Sequence, residues 1–86
     1  GEIIMTNLEK YNKAFKRILK KEGEELKDLR YRGIPAWDSM GHMNLMGELE
    51  EFFDIMLDTQ DVLAFTTYEK GKEILAKYGV EIEKEE

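Results

Sequence analysis

Apolar residues recur every three or four positions near the start of the chain, and this period predicts an α-helix. Five residues share the spacing: Ile4, Leu8, Tyr11, Phe15 and Ile18. The predicted helix runs from about residue 3 to 20 and ends before Gly23. A second apolar stripe predicts another helix from Ser39 to about Phe53. Its members are Leu45, Met46, Leu49, Phe52 and Phe53.

Residues 23–38 carry Gly23, Gly33 and Pro35 and show no sustained period, so they predict a long loop between the two helices. A loop of this length in a small domain is often functional. Its expected anchors are apolar or aromatic: Leu26, Leu29, Tyr31, Ile34 and Trp37.

Two shorter elements are predicted after the second helix. Asp58 or Thr59 should begin a short helix that ends at Ala64. Thr66 and Glu69 have the spacing of a capping box, which predicts a last helix from Thr67 to about Gly79. Residues 81–86 are mostly charged and are expected to fray. The 86 residues therefore predict a single all-α domain, a four-helix bundle of three main helices and one short one.

Composition excludes several classes of function. The formal net charge of −6 disfavours nucleic-acid binding and suits protein partners with basic patches. With no cysteine and one histidine, the chain is a poor candidate for a zinc site. No apolar run approaches the roughly 20 residues that span a bilayer. We expect a cytoplasmic monomer without nucleic-acid or membrane contacts.

Catalytic motifs are weak in this sequence. His42 follows Ser39 by three residues and shares its helix face, but no residue is evidently placed to orient it. The glycines form no phosphate-binding loop, and the carboxylates are spread along helix faces. We therefore predict that the protein is not an enzyme and that His42 is a surface residue.

Ser39 stands at the predicted start of the second helix, where free N–H groups and the helix dipole favour a phosphate group. The alternative is that Ser39 or Asp38 simply caps the helix. Gly41 and Gly47 each disfavour the helix by roughly 1 kcal/mol relative to alanine. They fit either a surface that other molecules approach closely or simple tolerance.

Asp38-Ser39-Met40 resembles the Asp-Ser-Leu motif of acyl carrier and peptidyl carrier proteins, with methionine in place of leucine. The resemblance extends along the second helix and to the step before the last helix. The matching residues are Met43, Leu45, Met46, Leu49, Glu50-Glu51-Phe52-Phe53-Asp54, Phe65-Thr66-Thr67, Ile74 and Leu75.

The resemblance implies a four-helix carrier fold with a 4′-phosphopantetheine arm on Ser39, next to Asp38 of the motif. A separate phosphopantetheinyl transferase would attach the arm from coenzyme A with a divalent metal. The arm would hold acyl or aminoacyl cargo as a thioester and deliver it between a loading ligase and downstream transferases with basic docking patches. Five positions match the docking residues of the family: Met40, Met43, Glu48, Glu50 and Glu51.

Some positions depart from the pattern of fatty-acid-synthesis carriers. Trp37 precedes the aspartate, Asn44 stands where an acidic residue is common, and Gly47 replaces a larger apolar residue. These departures favour a stand-alone carrier of a specialised pathway, and Asp-Ser-Met-Gly also resembles D-alanyl carrier proteins. Two alternatives stay open: the glutamates form only a solvated face, or the chain is an unmodified helical adaptor that binds partners through its acidic second helix.

Overall fold

The computed structural model describes residues 4–84 and has an all-helical architecture in this range. The four α-helices of this range are α1 (Asn7–Leu19), α2 (Ser39–Phe53), α3 (Thr59–Ala64) and α4 (Tyr68–Ala76). A short 3₁₀ helix, Gly23–Leu26, lies in the loop after α1 and was not predicted. Between residues 4 and 84 the only β-type pairing outside the helices is an isolated antiparallel bridge between Arg30 and Thr67. The all-α prediction is confirmed for this part of the chain.

The first helix begins at Asn7, later than predicted, because Thr6 forms a capping box with Glu9. The Glu9 N–H donates to Thr6 Oγ1 at 3.1 Å, and the Thr6 N–H donates to Glu9 Oε1 at 2.8 Å. Ile4 precedes this cap and is 89% exposed, so its assignment to the stripe of the first helix was wrong. The predicted first residue of the helix, residue 3, lies outside the described residues. At the other end, Lys20 takes a left-handed conformation with φ of 62° and stops the helix.

Five aromatic side chains form the centre of the core, and each is at most 1% exposed. They are Tyr11, Phe15, Trp37, Phe65 and Tyr68. The Phe15 ring lies 5.0 Å from Tyr11 and 5.7 Å from Trp37, both in edge-to-face geometry. The Tyr11 hydroxyl donates to the Tyr68 carbonyl oxygen at 2.6 Å, which satisfies a buried polar group and joins α1 to α4. Trp37 therefore anchors the end of the long loop in the same cluster as both helices.

The long loop is also tied to the start of α4 through its backbone. The Tyr31 N–H donates to the Thr66 carbonyl at 2.8 Å, and the Tyr68 N–H donates to the Leu29 carbonyl at 3.0 Å. Leu29 is buried, and the partly buried Tyr31 packs against the core. The remaining predicted anchors, Leu26 and Ile34, also lie on the core. The loop is thus held on both sides, which fixes the position of the residues that precede α2.

The last helix begins one residue later than predicted. Thr67 is its cap and accepts a hydrogen bond from the Lys70 N–H at 2.9 Å, so the proposed pair of Thr66 and Glu69 is not the capping box. The helix ends at Ala76, and Gly79 completes the following turn with φ of +82°.

The segment after Gly79, which the sequence predicts as a frayed tail, contacts α1 as far as Glu83. The Asn7 side-chain amide donates to the Glu81 carbonyl at 2.9 Å, and the Leu8 N–H donates to the Glu83 carboxylate at 2.7 Å. Val80 is buried in the core. Residues 85 and 86 lie outside the described range.

The short helix α3 is fastened to the end of α4 by a buried carboxylate. Asp61 is 7% exposed and accepts a hydrogen bond from Lys77 Nζ at 2.6 Å and another from the Tyr78 hydroxyl. The same hydroxyl accepts from the Asp58 N–H at 2.9 Å, at the start of α3. The pKa of Asp61 is lowered, first by the hydrogen bond from Lys77 and then by that from Tyr78.

Candidate functional site at the start of the second helix

Asp38 caps α2, and Ser39 is the first residue of the helix. The Asp38 backbone is extended, and its Oδ1 accepts a hydrogen bond from the Gly41 N–H at 2.8 Å. The Asp38 carbonyl accepts the first helical hydrogen bond, from the His42 N–H, at 2.8 Å. Of the two residues that could have capped this helix, the aspartate does so. The Ser39 hydroxyl therefore has no capping role.

Gly41 allows the loop to pass very close to the first turn of α2. A Cβ atom at this position would lie 2.0 Å from the Ala36 carbonyl oxygen. Gly47, on the same helix, would place its Cβ in open space with nothing within 4 Å. The two glycines thus differ: Gly41 is required by a close approach within the chain, and Gly47 is not required by any contact of this kind.

Two side chains of the long loop contact the Ser39 hydroxyl. The Tyr31 hydroxyl shares a hydrogen bond with Ser39 Oγ at 3.1 Å, and Arg32 Nη2 donates to the same oxygen at 3.4 Å. The pKa of the Tyr31 phenol is lowered, first by the hydrogen bond with Ser39 and then by that with Arg32. Ser39 is exposed, although its hydroxyl is contacted by both of these loop side chains.

Sequence reasoning named Tyr31 only as a loop anchor and did not select Arg32. No sequence motif contains this arginine, because only the folded path of the loop brings its side chain to Ser39. Arg32 has a left-handed backbone with φ of 65°, and its N–H donates to the Trp37 carbonyl at 2.8 Å. Glycine, asparagine and aspartate favour that conformation more than arginine does, so local propensity does not indicate it.

His42 is not the surface residue that was predicted. The Trp37 indole N–H donates to His42 Nδ1 at 2.9 Å, and His42 Nε2 lies 2.7 Å from the Val62 carbonyl oxygen. Because Nδ1 accepts a hydrogen bond and Nε2 faces a carbonyl acceptor, the hydrogen-bond network assigns the ring hydrogen to Nε2. The half-buried imidazole joins the loop, α2 and α3, and both nitrogens have partners other than Ser39.

Met40 and Met43 are exposed beyond the serine, by 74% and 60%. Met43 also lines a groove of about 380 Å³ between α2 and α3, together with Met46, Val62 and Leu63. Leu63 is itself 73% exposed. Two large exposed apolar side chains, Met43 and Leu63, therefore lie at this groove. Isolated apolar residues are common on surfaces, whereas groups of them mark interaction sites.

The three glutamates assigned to partner binding have different surroundings. Glu48 forms an ion pair with Arg17 on α1, and its side chain is only 16% exposed, so it contacts the body of the protein. Glu50 is half-buried, and its Oε2 accepts from the Leu57 N–H at 2.9 Å, which holds the segment after α2. Glu51 is exposed. We therefore leave Glu48 out of the partner surface and give Glu50 a structural role.

The residues around Ser39 fit a covalently attached phosphate group. Ser39 is exposed, and its hydroxyl is not used by the cap. Arg32 donates a hydrogen bond to the serine oxygen, and the Tyr31 hydroxyl shares one with it. The neighbouring carboxylate of Asp38 is turned to the Gly41 N–H. Guanidinium groups and phenols are ordinary donors to phosphate oxygens.

Metal and membrane features are limited in the described part of the chain. Within residues 4–84, no group of three or more histidine, cysteine, aspartate or glutamate side chains is arranged to hold a metal ion. No helix in that range combines the length and the apolar character that crossing a bilayer requires.

Comparisons with protein-family models, with curated proteins and with solved structures found no match. The resemblance to carrier proteins therefore rests on the residues of this chain.

Proposed function

We propose that this protein is a carrier that holds acyl or aminoacyl intermediates as thioesters on a 4′-phosphopantetheine arm attached to Ser39. The observation that carries the proposal is that Asp38, and not Ser39, caps α2. Asp38 caps the helix through the Gly41 N–H, so the hydroxyl of the adjacent, exposed Ser39 is not needed for the cap. A serine kept at this position for capping alone would instead bond to the backbone.

In the attachment reaction, Ser39 Oγ forms a bond to the β-phosphorus of coenzyme A as the pyrophosphate bond breaks. The nucleotide part leaves, and the serine proton passes to a base of the transferase, because His42 has both nitrogens engaged elsewhere. When bound, the arm supplies a thiol that this cysteine-free chain lacks. The thioester chemistry and the choice of cargo then belong to partner enzymes, which is why the protein itself is proposed as a non-enzyme. We propose that the protein carries its cargo in the cytoplasm.

Partners are proposed to dock on the exposed surface formed by Met40, Met43, Leu63 and Glu51. Methionine side chains adapt to surfaces of different shape, which suits a carrier that meets several enzymes in turn. Glu51 adds a negative charge for basic residues on a partner. A tethered arm on such a surface raises the concentration of its cargo at each docked enzyme.

The test is an intact mass measured after incubation with coenzyme A, magnesium and a broad-specificity phosphopantetheinyl transferase. We expect the wild-type protein to gain one phosphopantetheinyl group and Ser39→Ala to gain none. Circular dichroism of Ser39→Ala should be unchanged, because Asp38 still caps α2. No mass gain in the wild type, or an equal gain in Ser39→Ala, would refute the carrier function.

Two alternatives would then be distinguished by further results. A D-alanyl-type carrier would show the same modification but accept an amino acid from an adenylating ligase, which the mass of the loaded protein identifies. An unmodified helical adaptor would show no modification and would still bind a partner through Met40, Met43 and Glu51. The exposure of the two methionines supports this adaptor as well as the carrier, so the modification decides between them.

A further inference from the structure

Tyr31 and Arg32 converge on one oxygen atom, Ser39 Oγ, from a loop that is fixed at both ends. Their atoms lie 3.1 Å and 3.4 Å from it. The Tyr31 N–H is bonded to the Thr66 carbonyl, and the Arg32 N–H to the Trp37 carbonyl. The placement of both side chains is therefore set by the backbone and by the buried Trp37.

Two properties of Arg32 bear on its role, and it shares the first of them with Arg30. Among residues 4–84 it forms no ion pair with a carboxylate, although the protein is strongly acidic. Its backbone also takes a left-handed conformation, φ of 65°, which a non-glycine residue adopts rarely and which is frequent at functional sites. The guanidinium lies near the Tyr31 ring, 5.3 Å from its centroid. Arg32 also lines an open cavity of about 340 Å³, together with Gly33, Ile34, Pro35, Trp37 and Asp38.

We propose that Tyr31 and Arg32 form a binding site for the phosphodiester that modification places on Ser39, and so hold the base of the attached arm against the loop. The inference rests on the proposed function. A guanidinium presents several N–H groups in a planar fork and binds phosphate oxygens strongly, and a phenol adds one O–H donor. Once Ser39 Oγ is esterified it can no longer donate a proton, and the neighbouring phosphate oxygens become the better acceptors for both side chains.

This site has a definite consequence for the modified protein. The arm begins from an ordered base, and the negative charge of the phosphodiester is neutralised by Arg32. Modification should therefore stabilise the fold by adding an ion pair that the unmodified protein lacks. Removing the guanidinium should abolish that gain without preventing the fold, because Arg32 bonds to the core through its backbone N–H.

The experiment compares the modified and unmodified forms of four proteins: wild type, Arg32→Gln, Tyr31→Phe and Arg30→Gln. Arg30→Gln is the matched control, because it removes one positive charge from the same exposed loop but keeps the charge that lies beside Ser39. Intact mass first establishes that each protein carries one phosphopantetheinyl group and distinguishes it from a simple phosphoserine. Phosphorus NMR then reports the environment of the phosphodiester, and thermal melting gives the difference in Tm between the two forms of each protein.

We expect modification to raise Tm by about 2–6 °C in the wild type and in Arg30→Gln, as one additional ion pair implies for a domain of this size. The gain should be lost in Arg32→Gln and reduced in Tyr31→Phe, and in both variants the phosphorus resonance should move from its wild-type position. Taking the difference within each variant cancels any effect of the substitution on the fold itself.

Each other outcome refutes a different statement. Full modification with the same resonance and the same Tm gain in Arg32→Gln overturns the phosphodiester site and leaves the carrier function intact. A slower modification of Arg32→Gln with an unchanged resonance means that the arginine contacts the transferase, which also overturns the site. No mass gain in the wild type overturns the carrier function, and this inference falls with it.

Discussion

Substitution of Gly41 by alanine should destabilise the protein, whereas the same substitution at Gly47 should stabilise it. Both glycines lie in α2, and replacing a helical glycine by alanine contributes up to about 1 kcal/mol. A Cβ at Gly47 meets nothing within 4 Å, so Gly47→Ala should gain about 0.5–1 kcal/mol. The two substitutions therefore share the same gain in helix propensity and differ in the tertiary contacts of the new Cβ atom.

The magnitude at Gly41 follows from the close approach of the loop. A Cβ there would lie 2.0 Å from the Ala36 carbonyl oxygen, where real Cβ contacts are essentially never shorter than 3.0 Å, so the backbone must move by about 1 Å. Overpacking of this kind costs typically 1–3 kcal/mol, and disturbing the Asp38 cap adds about 1 kcal/mol. Offset by the helix gain, Gly41→Ala should lose about 1–3 kcal/mol. The loop that must move also carries the buried Trp37.

Thermal melting followed by circular dichroism measures the effect, since 1 kcal/mol corresponds to about 4–8 °C in a domain of this size. We expect Gly47→Ala to melt a few degrees above the wild type and Gly41→Ala about 5–20 °C below it. Modification of Ser39 should also be slower in Gly41→Ala, because the serine lies in the turn that is displaced. If Gly41→Ala melts at or above the wild-type temperature, the loop does not determine the geometry of the site as described.

Two further predictions concern the α3 attachment and the partner surface. Asp61→Asn should lower Tm at neutral pH, because the pKa of this carboxylate is lowered in the folded protein by Lys77 first and then by Tyr78. A carboxylate whose pKa is lowered by folding stabilises the protein above its unfolded pKa, about 4, and this stabilisation is lost as the pH falls further. The difference in Tm between wild type and variant should therefore shrink below about pH 4. A difference that stays constant to about pH 2 would contradict the ion pair. Glu51→Lys should slow transfer by a partner enzyme several-fold without changing helical content. The control Glu73→Lys on α4 should leave the transfer rate unchanged. Equal rates for the two variants would make Glu51 an ordinary solvated residue.

Local patterns were sufficient for the type and approximate position of every α-helix. The predicted bounds of α2, Ser39 to about Phe53, agree with the observed helix. Periodicity indicates such a helix because residues three and four apart share one face regardless of the rest of the chain. Helix ends were less predictable. Thr6 and Thr67 are the caps, each accepts a hydrogen bond from the N–H three residues later, and each helix begins one or more residues after its predicted start.

The surroundings of individual polar residues could not be read from the sequence. Glu48 and Glu51 are three residues apart in an acidic run, yet one pairs with Arg17 on another helix and the other faces solvent. His42 was expected at the surface, and its two nitrogens instead join the loop to α3. These outcomes depend on contacts between residues distant in the chain, which periodicity does not encode.

The sequence by itself determined that the chain is helical and that a serine begins the second helix behind an aspartate. Only the tertiary structure decided what that serine is free to do. Asp38 takes the cap, Gly41 lets the loop pass against the first helical turn, and that loop places Tyr31 and Arg32 on the serine oxygen. The physical reason is that caps and helix stripes are satisfied by neighbours in sequence, whereas the donors around Ser39 come from a loop whose path is set by the burial of Trp37.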